Sequence, residues 1–138
     1  MAAESPAPEQ LDAAQASYER CRHSEAFLAD FYEAFLGSDP AIRPLFAHTD
    51  FDRQRRLLQH ALGLLFSFAR RPNPNLLERI ATRHGPAEMN IPAELYPLFM
   101  DALLVAVRKH DPEAGPALAE AWRAALAPGI RYMERFGR

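Results

Sequence analysis

Cysteine is nearly missing from this chain: Cys21 is the one cysteine in 138 residues. A single thiol cannot close an internal disulfide, so the fold is not a cross-linked secretory scaffold and is compatible with a reducing compartment. There is no CxxC pair, no HExxH helix and no glycine-rich phosphate loop. Hydrolase and nucleotide-binding readings therefore have nothing to rest on. An excess charge of either sign is missing too, with 16 basic against 18 acidic residues for a formal net charge of −2. Broad electrostatic attraction to nucleic acid or an anionic membrane is not expected. No apolar run approaches the roughly 20 residues that span a bilayer. The opening MAAESPAPEQLDAAQ has neither a basic start nor a continuous apolar stretch, and does not read as a signal peptide. The expectation is a soluble, cytoplasmic protein.

What is present suits one globular domain, since hydrophobic residues make up 49% of a chain long enough to bury a sizeable core. Residues 1–9, with Pro6 and Pro8 among small residues, read as a flexible lead, and residues 10–138 as the domain. A weak helical pattern runs from Gln10 to Arg22. Ser24 is a suitable N-cap for a second helix, whose Leu28, Phe31, Tyr32 and Phe35 recur at i, i+3, i+4 and i+7 and so share one face. Gly37 is read as its stop, and Ser38 or Asp39 as the cap of a short helix from Pro40 to Phe46. Thr49 or Asp50 caps a long helix from Phe51 to Ala69, in which Leu58, Leu62, Leu65 and Phe66 belong to a wide apolar stripe. RRPNPN breaks the chain. A short helix from about Asn75 ends at His84-Gly85. Another starts at Pro92 and reaches His110, with Leu95, Phe99 and Leu103 on one face. The last carries Leu118, Trp122 and Met133, with Pro128 inside it. No strand-like alternation and no repeat is found. The chain reads as all-α, with about seven helices.

Three residues on these helices carry chemistry when taken together. His84 closes LLERIATRH, Tyr32 lies in FLADFYEAFL, and Phe46 ends DPAIRPLF. A histidine at a helix C-terminus is more often a dipole partner than a ligand, and a tyrosine on an apolar face is ordinarily a core residue. An imidazole on a rigid helix end beside an apolar slot, with a phenol on another helix, is also what a haem iron needs to take a diatomic gas. Gln54 is the preferred second polar group, because Leu58 lies one turn on and leads toward Leu62. His60 is its rival, although six residues on it points well away from that face. His23 and His48 are expected to be exposed, and His110 to favour its helix dipole. The arginines Arg53, Arg55, Arg56, Arg70 and Arg71 read as a solvated face.

The motifs FYEAFL, DPAIRPLF, TDFDRQRRLL, LLERIATRH and IPAELYPLFMDALLVAVRKHDP, followed by AW in the last helix, resemble bacterial single-domain globins and the globin domain of flavohaemoglobins. The resemblance spans roughly residues 17–136 with the order intact. It implies a globin fold, helices arranged three-over-three around a haem pocket. It matches His84 to the proximal iron ligand, Phe46 to the phenylalanine wedged against haem, Tyr32 to the distal tyrosine and Gln54 to the distal glutamine, with Arg56 and His60 still open for that last position. Phe35, Leu58, Leu62, Ile80, Ile91, Tyr96 and Phe99 are expected to complete the cofactor's surroundings. The cofactor implied is non-covalent haem b, there being no CxxCH. The ligands implied are O2, CO and NO, and the partner a second copy or a separate signalling or reductase protein.

The resemblance also has departures. No flavin- or nicotinamide-binding segment accompanies the globin motifs. Aligned on Trp122, the flavohaemoglobin proximal glutamate falls at Gly137, with Glu134 about one turn earlier. The expected role is reversible oxygen binding as carrier, store or sensor. The alternatives are a nitric oxide dioxygenase or pseudo-peroxidase using an external reductase, which needs Glu134 on His84, and a haem-free interaction module.

Overall fold

The computed structural model describes residues 6–138. The expected lead over residues 1–9 lies outside the described residues for its first five positions, and a helix has begun by Pro8. Among the described residues there are six α-helices, two 3-10 turns and no strand. The α-helices are α1 (Pro8–Arg22), α2 (Ala26–Ser38), α3 (Phe51–Arg70), α4 (Glu78–His84), α5 (Leu95–His110) and α6 (Pro116–Arg135). Among the described residues no helix is long and apolar enough to cross a membrane.

Local chemistry accounts for two of the helix starts. Pro8 sits at the first position of α1, where its missing N–H costs nothing, and Gln10 Oε1 accepts from the Ala7 N–H at 3.4 Å. Asp50 caps α3 by accepting from the Asp52 and Arg53 N–H groups at 3.0 and 3.3 Å. Five expectations need correction. Ser24 does not cap α2, because its carbonyl is drawn into a turn by the Phe27 N–H and the helix starts after Glu25. Gly37 does not stop α2, which runs on through Ser38 with the Ser38 hydroxyl donating to the Phe35 carbonyl at 2.7 Å. The segment after Asp39 is not an α-helix from Pro40; Asp39 accepts from the Ala41 N–H at 2.8 Å, and only Arg43–Phe46 form a 3-10 turn. The helices expected to begin at Asn75 and Pro92 begin later, at Glu78 and Leu95, each preceded by a tight turn.

The helices form the three-over-three arrangement, with α2 on α5, α1 and α3 on α6, and α4 against the end of α6. The apolar face of α2 buries Phe27, Phe31, Tyr32 and Phe35. Each such side chain contributes roughly 2–3 kcal/mol of hydrophobic stabilisation. Pro128 lies within α6, and Gly129 next to it permits a close approach: a Cβ there would lie 2.4 Å from a Leu65 methyl of α3.

One buried corner ties α1, α6 and the end of α5 together. Asp111, just 2% exposed, accepts from Ser17 Oγ at 2.6 Å and from Arg20 Nε and Nη2 at 2.9 Å each. The Glu113 N–H donates to the same carboxylate at 2.9 Å. Ser17 Oγ in turn accepts from Trp122 Nε1 at 2.9 Å, and Trp122 is fully buried. Burial alone would raise the Asp111 pKa, but these donors hold it at about 2. Beside this corner, burial pushes the Cys21 thiol up to about 11, so it is inert at neutral pH. His110 does more than favour its dipole: its Nε2 meets Asp30 Oδ2 of α2 at 2.6 Å.

Candidate functional site

Asp50 and the turn before it deliver α3 beside α2, and this juxtaposition assembles an aromatic cluster. The Tyr32 ring lies 5.8 Å from Phe46 and 5.4 Å from Phe51, edge to face in both cases, and Phe46 stacks on Phe51 at 6.0 Å. Phe35 reaches Phe46 at 6.2 Å and Phe99 of α5 at 6.0 Å. Phe51 is the member that sequence reasoning passed over, taken only as the start of a helix. An aromatic immediately after an Asp cap was the available signal.

Within this cluster Tyr32 is buried, and its desolvation pushes the phenol up to about 12. Two neighbours on α3 pull the other way, the Gln54 side chain by hydrogen bonding and Arg55 by its charge. The phenol is therefore neutral, and a proton donor, across the physiological range. Of Gln54, Arg56 and His60, Gln54 is the one that bears on the phenol. Arg56 and His60 are exposed on α3. Arg55 pairs with Asp52, and Arg70 reaches across to Asp12. Leu58 and Leu62, one and two turns beyond Gln54, are buried as the apolar stripe required.

The second half of the site is built at the end of α4. His84 is half-buried, and its Nδ1 lies 2.8 Å from the Ile80 carbonyl one turn back. That carbonyl can only accept, so Nδ1 carries the proton and Nε2 keeps its lone pair. Burial lowers the His84 pKa, the Ile80 carbonyl opposing and the Arg83 charge adding to the effect, so the ring is neutral at pH 7. No residue among those described hydrogen-bonds to Nε2. A neutral imidazole oriented through Nδ1, with Nε2 free, is the donor chemistry of a haem iron ligand. The residues present fit that group.

The loop that follows bends back beneath His84. Asn90 takes a positive φ of 47°, its N–H donates to the Gly85 carbonyl at 2.8 Å, and the N–H of buried Ile91 donates to the His84 carbonyl at 2.8 Å. Ile80 packs on the core and contributes its carbonyl as well as its side chain. Tyr96 is buried on α5. Burial raises its phenol, and the charges that bear on it are Arg138, which lowers it, and Glu134, which raises it. The Nδ1 position that Glu134 would need on His84 is already taken by a backbone carbonyl. The carboxylate that would make the imidazole a stronger electron donor is not in that place. His23 and His48 are exposed, as expected. Among the described residues no cluster of histidine, cysteine and acidic side chains could hold a metal ion by itself.

Comparison with known proteins bears on this geometry. The globin family matches over residues 29–130, from within α2 to late in α6. A crystal structure of a Pseudomonas aeruginosa PAO1 protein, described as structurally highly homologous to a human hemoglobin, superimposes with a TM-score of 0.88. The two are 38% identical, and the match covers 91% of this chain and 95% of that one. No curated protein matches the chain.

Proposed function

The chain belongs to the globin family, and we propose that it is a haem protein, with His84 holding the iron and Tyr32 with Gln54 facing the gas ligand. The observation that carries this reading is the His84 imidazole, neutral and turned by the Ile80 carbonyl so that Nε2 is left to bind. When bound, haem b would supply an iron able to take O2, CO or NO reversibly. The chain's own residues would do the rest. Phe46, Phe35, Phe99, Leu58, Leu62 and Ile91 offer apolar surface that excludes water and holds the porphyrin without a covalent link. Tyr32 offers a neutral O–H, and Gln54 an amide, to a polar ligand such as oxygen; carbon monoxide, less polar, needs neither.

Reversible oxygen binding, as carrier, store or sensor in the cytoplasm, is favoured over nitric oxide dioxygenase or peroxidase chemistry. The reason is that Glu134 bears on Tyr96, and His84 bonds a backbone carbonyl in place of a carboxylate. The test is a haem titration of the purified protein, with spectra of the ferric and reduced forms and of the reduced form under carbon monoxide and under oxygen. The expected result is one haem per chain, a broad five-coordinate ferrous band, and reversible changes with both gases. Sharp split ferrous bands would bring a second protein ligand into play, with exposed His60 the first to replace. No stoichiometric uptake would sink the haem reading and leave the interaction module. Continued nitric oxide turnover with an added reductase would restore the enzyme.

A further inference from the structure

We propose that Arg138 is a positioning residue for His84, acting through the Ile91 backbone to set where the imidazole stands. The inference rests on the haem reading above. Helix α4 has only 7 residues and no side-chain cap at its N-terminus, so its direction depends on what holds its other end. The His84 carbonyl is held there by the Ile91 N–H at 2.8 Å. The Ile91 carbonyl is in turn held by Arg138 Nη2 at 3.1 Å. A peptide strand clamped on both sides in this way passes any displacement of Arg138 to the His84 backbone.

The two residues before Arg138 press on the same loop. The Phe136 ring lies 3.4 Å from where a Cβ on Gly85 would stand. Gly137 takes a positive φ of 73°, and a Cβ on it would meet the Pro86 ring at 3.3 Å. That left-handed turn, open to glycine and strained for other residues, is what brings the chain off α6 and aims Arg138 at Ile91. The segment 136–138 thus grips the 85–91 loop at three successive points, the last of them a charged donor on the carbonyl of Ile91, whose own N–H holds the end of α4.

The experiment compares wild type with Arg138→Ala, Arg138→Lys and Gly137→Ala, using two readouts. The first is amide exchange at Ile91 in the protein without haem; the second is the iron–histidine stretching band of the reduced, haem-loaded protein. Loss of one charge-assisted bond should speed Ile91 exchange about tenfold in Arg138→Ala. The iron–histidine band should shift or broaden in the same variant. Arg138→Lys should recover both, and Gly137→Ala should resemble Arg138→Ala. Faster exchange with an unmoved band would overturn positioning, because the clamp would then only tidy a loop. Unchanged exchange would overturn the clamp itself. If wild type takes up no haem, the haem reading fails separately, and Ile91 exchange still decides whether Arg138 holds the loop.

Discussion

Two polar regions of this molecule follow opposite rules. In the corner around Asp111 every polar group is answered from within the chain: Ser17 gives one bond and takes one, and Arg20 forks onto a carboxylate that also receives a backbone N–H. At Tyr32 and His84 the arrangement is less complete. The His84 ring is oriented by Ile80, but among the described residues nothing bonds its other nitrogen. The Tyr32 phenol is buried among aromatic rings with one amide for company. Among the described residues no fully buried side-chain nitrogen or oxygen is left unpaired, so the free His84 nitrogen is not sealed in the core. The corner is closed on itself, and the His84 Nε2 is left without a bond from the chain.

That contrast can be broken most directly at His84. Replacing it with glycine should weaken haem retention by more than the roughly 10–100-fold that loss of an outer partner costs, with imidazole added to the buffer restoring uptake. Heme titration with and without imidazole measures this, while urea unfolding of the haem-free variant should stay close to wild type. The reverse pattern is expected at Asp111. Asp111→Ala leaves Arg20 and Ser17 without their acceptor and should cost about 2–3 kcal/mol in urea unfolding, with the haem spectra unmoved.

The same carboxylate gives the comparison a pH signature. Its folded pKa of about 2 lies below the ordinary 3.8, so its contribution is complete above about pH 4 and is lost as pH falls toward 2. The amount lost across that window is about 2 kcal/mol, and the slope of acid unfolding should flatten there in Asp111→Asn. Tyr32→Phe should act in the other direction, on the ligand and hardly on the fold. Oxygen release, followed by stopped flow, should quicken about tenfold, with carbon monoxide affinity nearly constant and stability within about 1 kcal/mol of wild type. Unchanged oxygen release would remove Tyr32 from the ligand side. The smallest effect is expected at Gly129→Ala, where a methyl would force Leu65 to turn aside. A cost of about 1 kcal/mol, without any spectral change, is the expected outcome of thermal unfolding.

Much of the site was legible before any coordinates because it follows helical periodicity. The face that buries Phe31, Tyr32 and Phe35 recurs at helical spacing, and the cap at Asp50 and the stripe through Leu58 and Leu62 obey the same local rules. His84 could be picked out as the end of an apolar short helix. Ser24 and Gly37 misled for an equally local reason: each has the right propensity for a helix boundary, but a turn takes up the Ser24 carbonyl and the helix runs on past Gly37 to Ser38. Phe51 was passed over because its value lies in two rings from other segments. The carbonyl that orients His84 could not be read from spacing, since a residue one turn from an aligned position can face toward or away from the imidazole.

By itself the sequence determined that this chain is helical and where its apolar faces lie. These are properties of neighbours within about two turns, where backbone geometry alone sets which side chains share a face. Only the tertiary structure decided that Ser17, Arg20, Asp111 and Trp122 form one network across as many as 105 residues of chain. It alone decided that a carbonyl, not a carboxylate, orients His84, and that Arg138 grips the loop beneath it. Those outcomes depend on how helices cross and on where a loop returns, and no local pattern of residues encodes either.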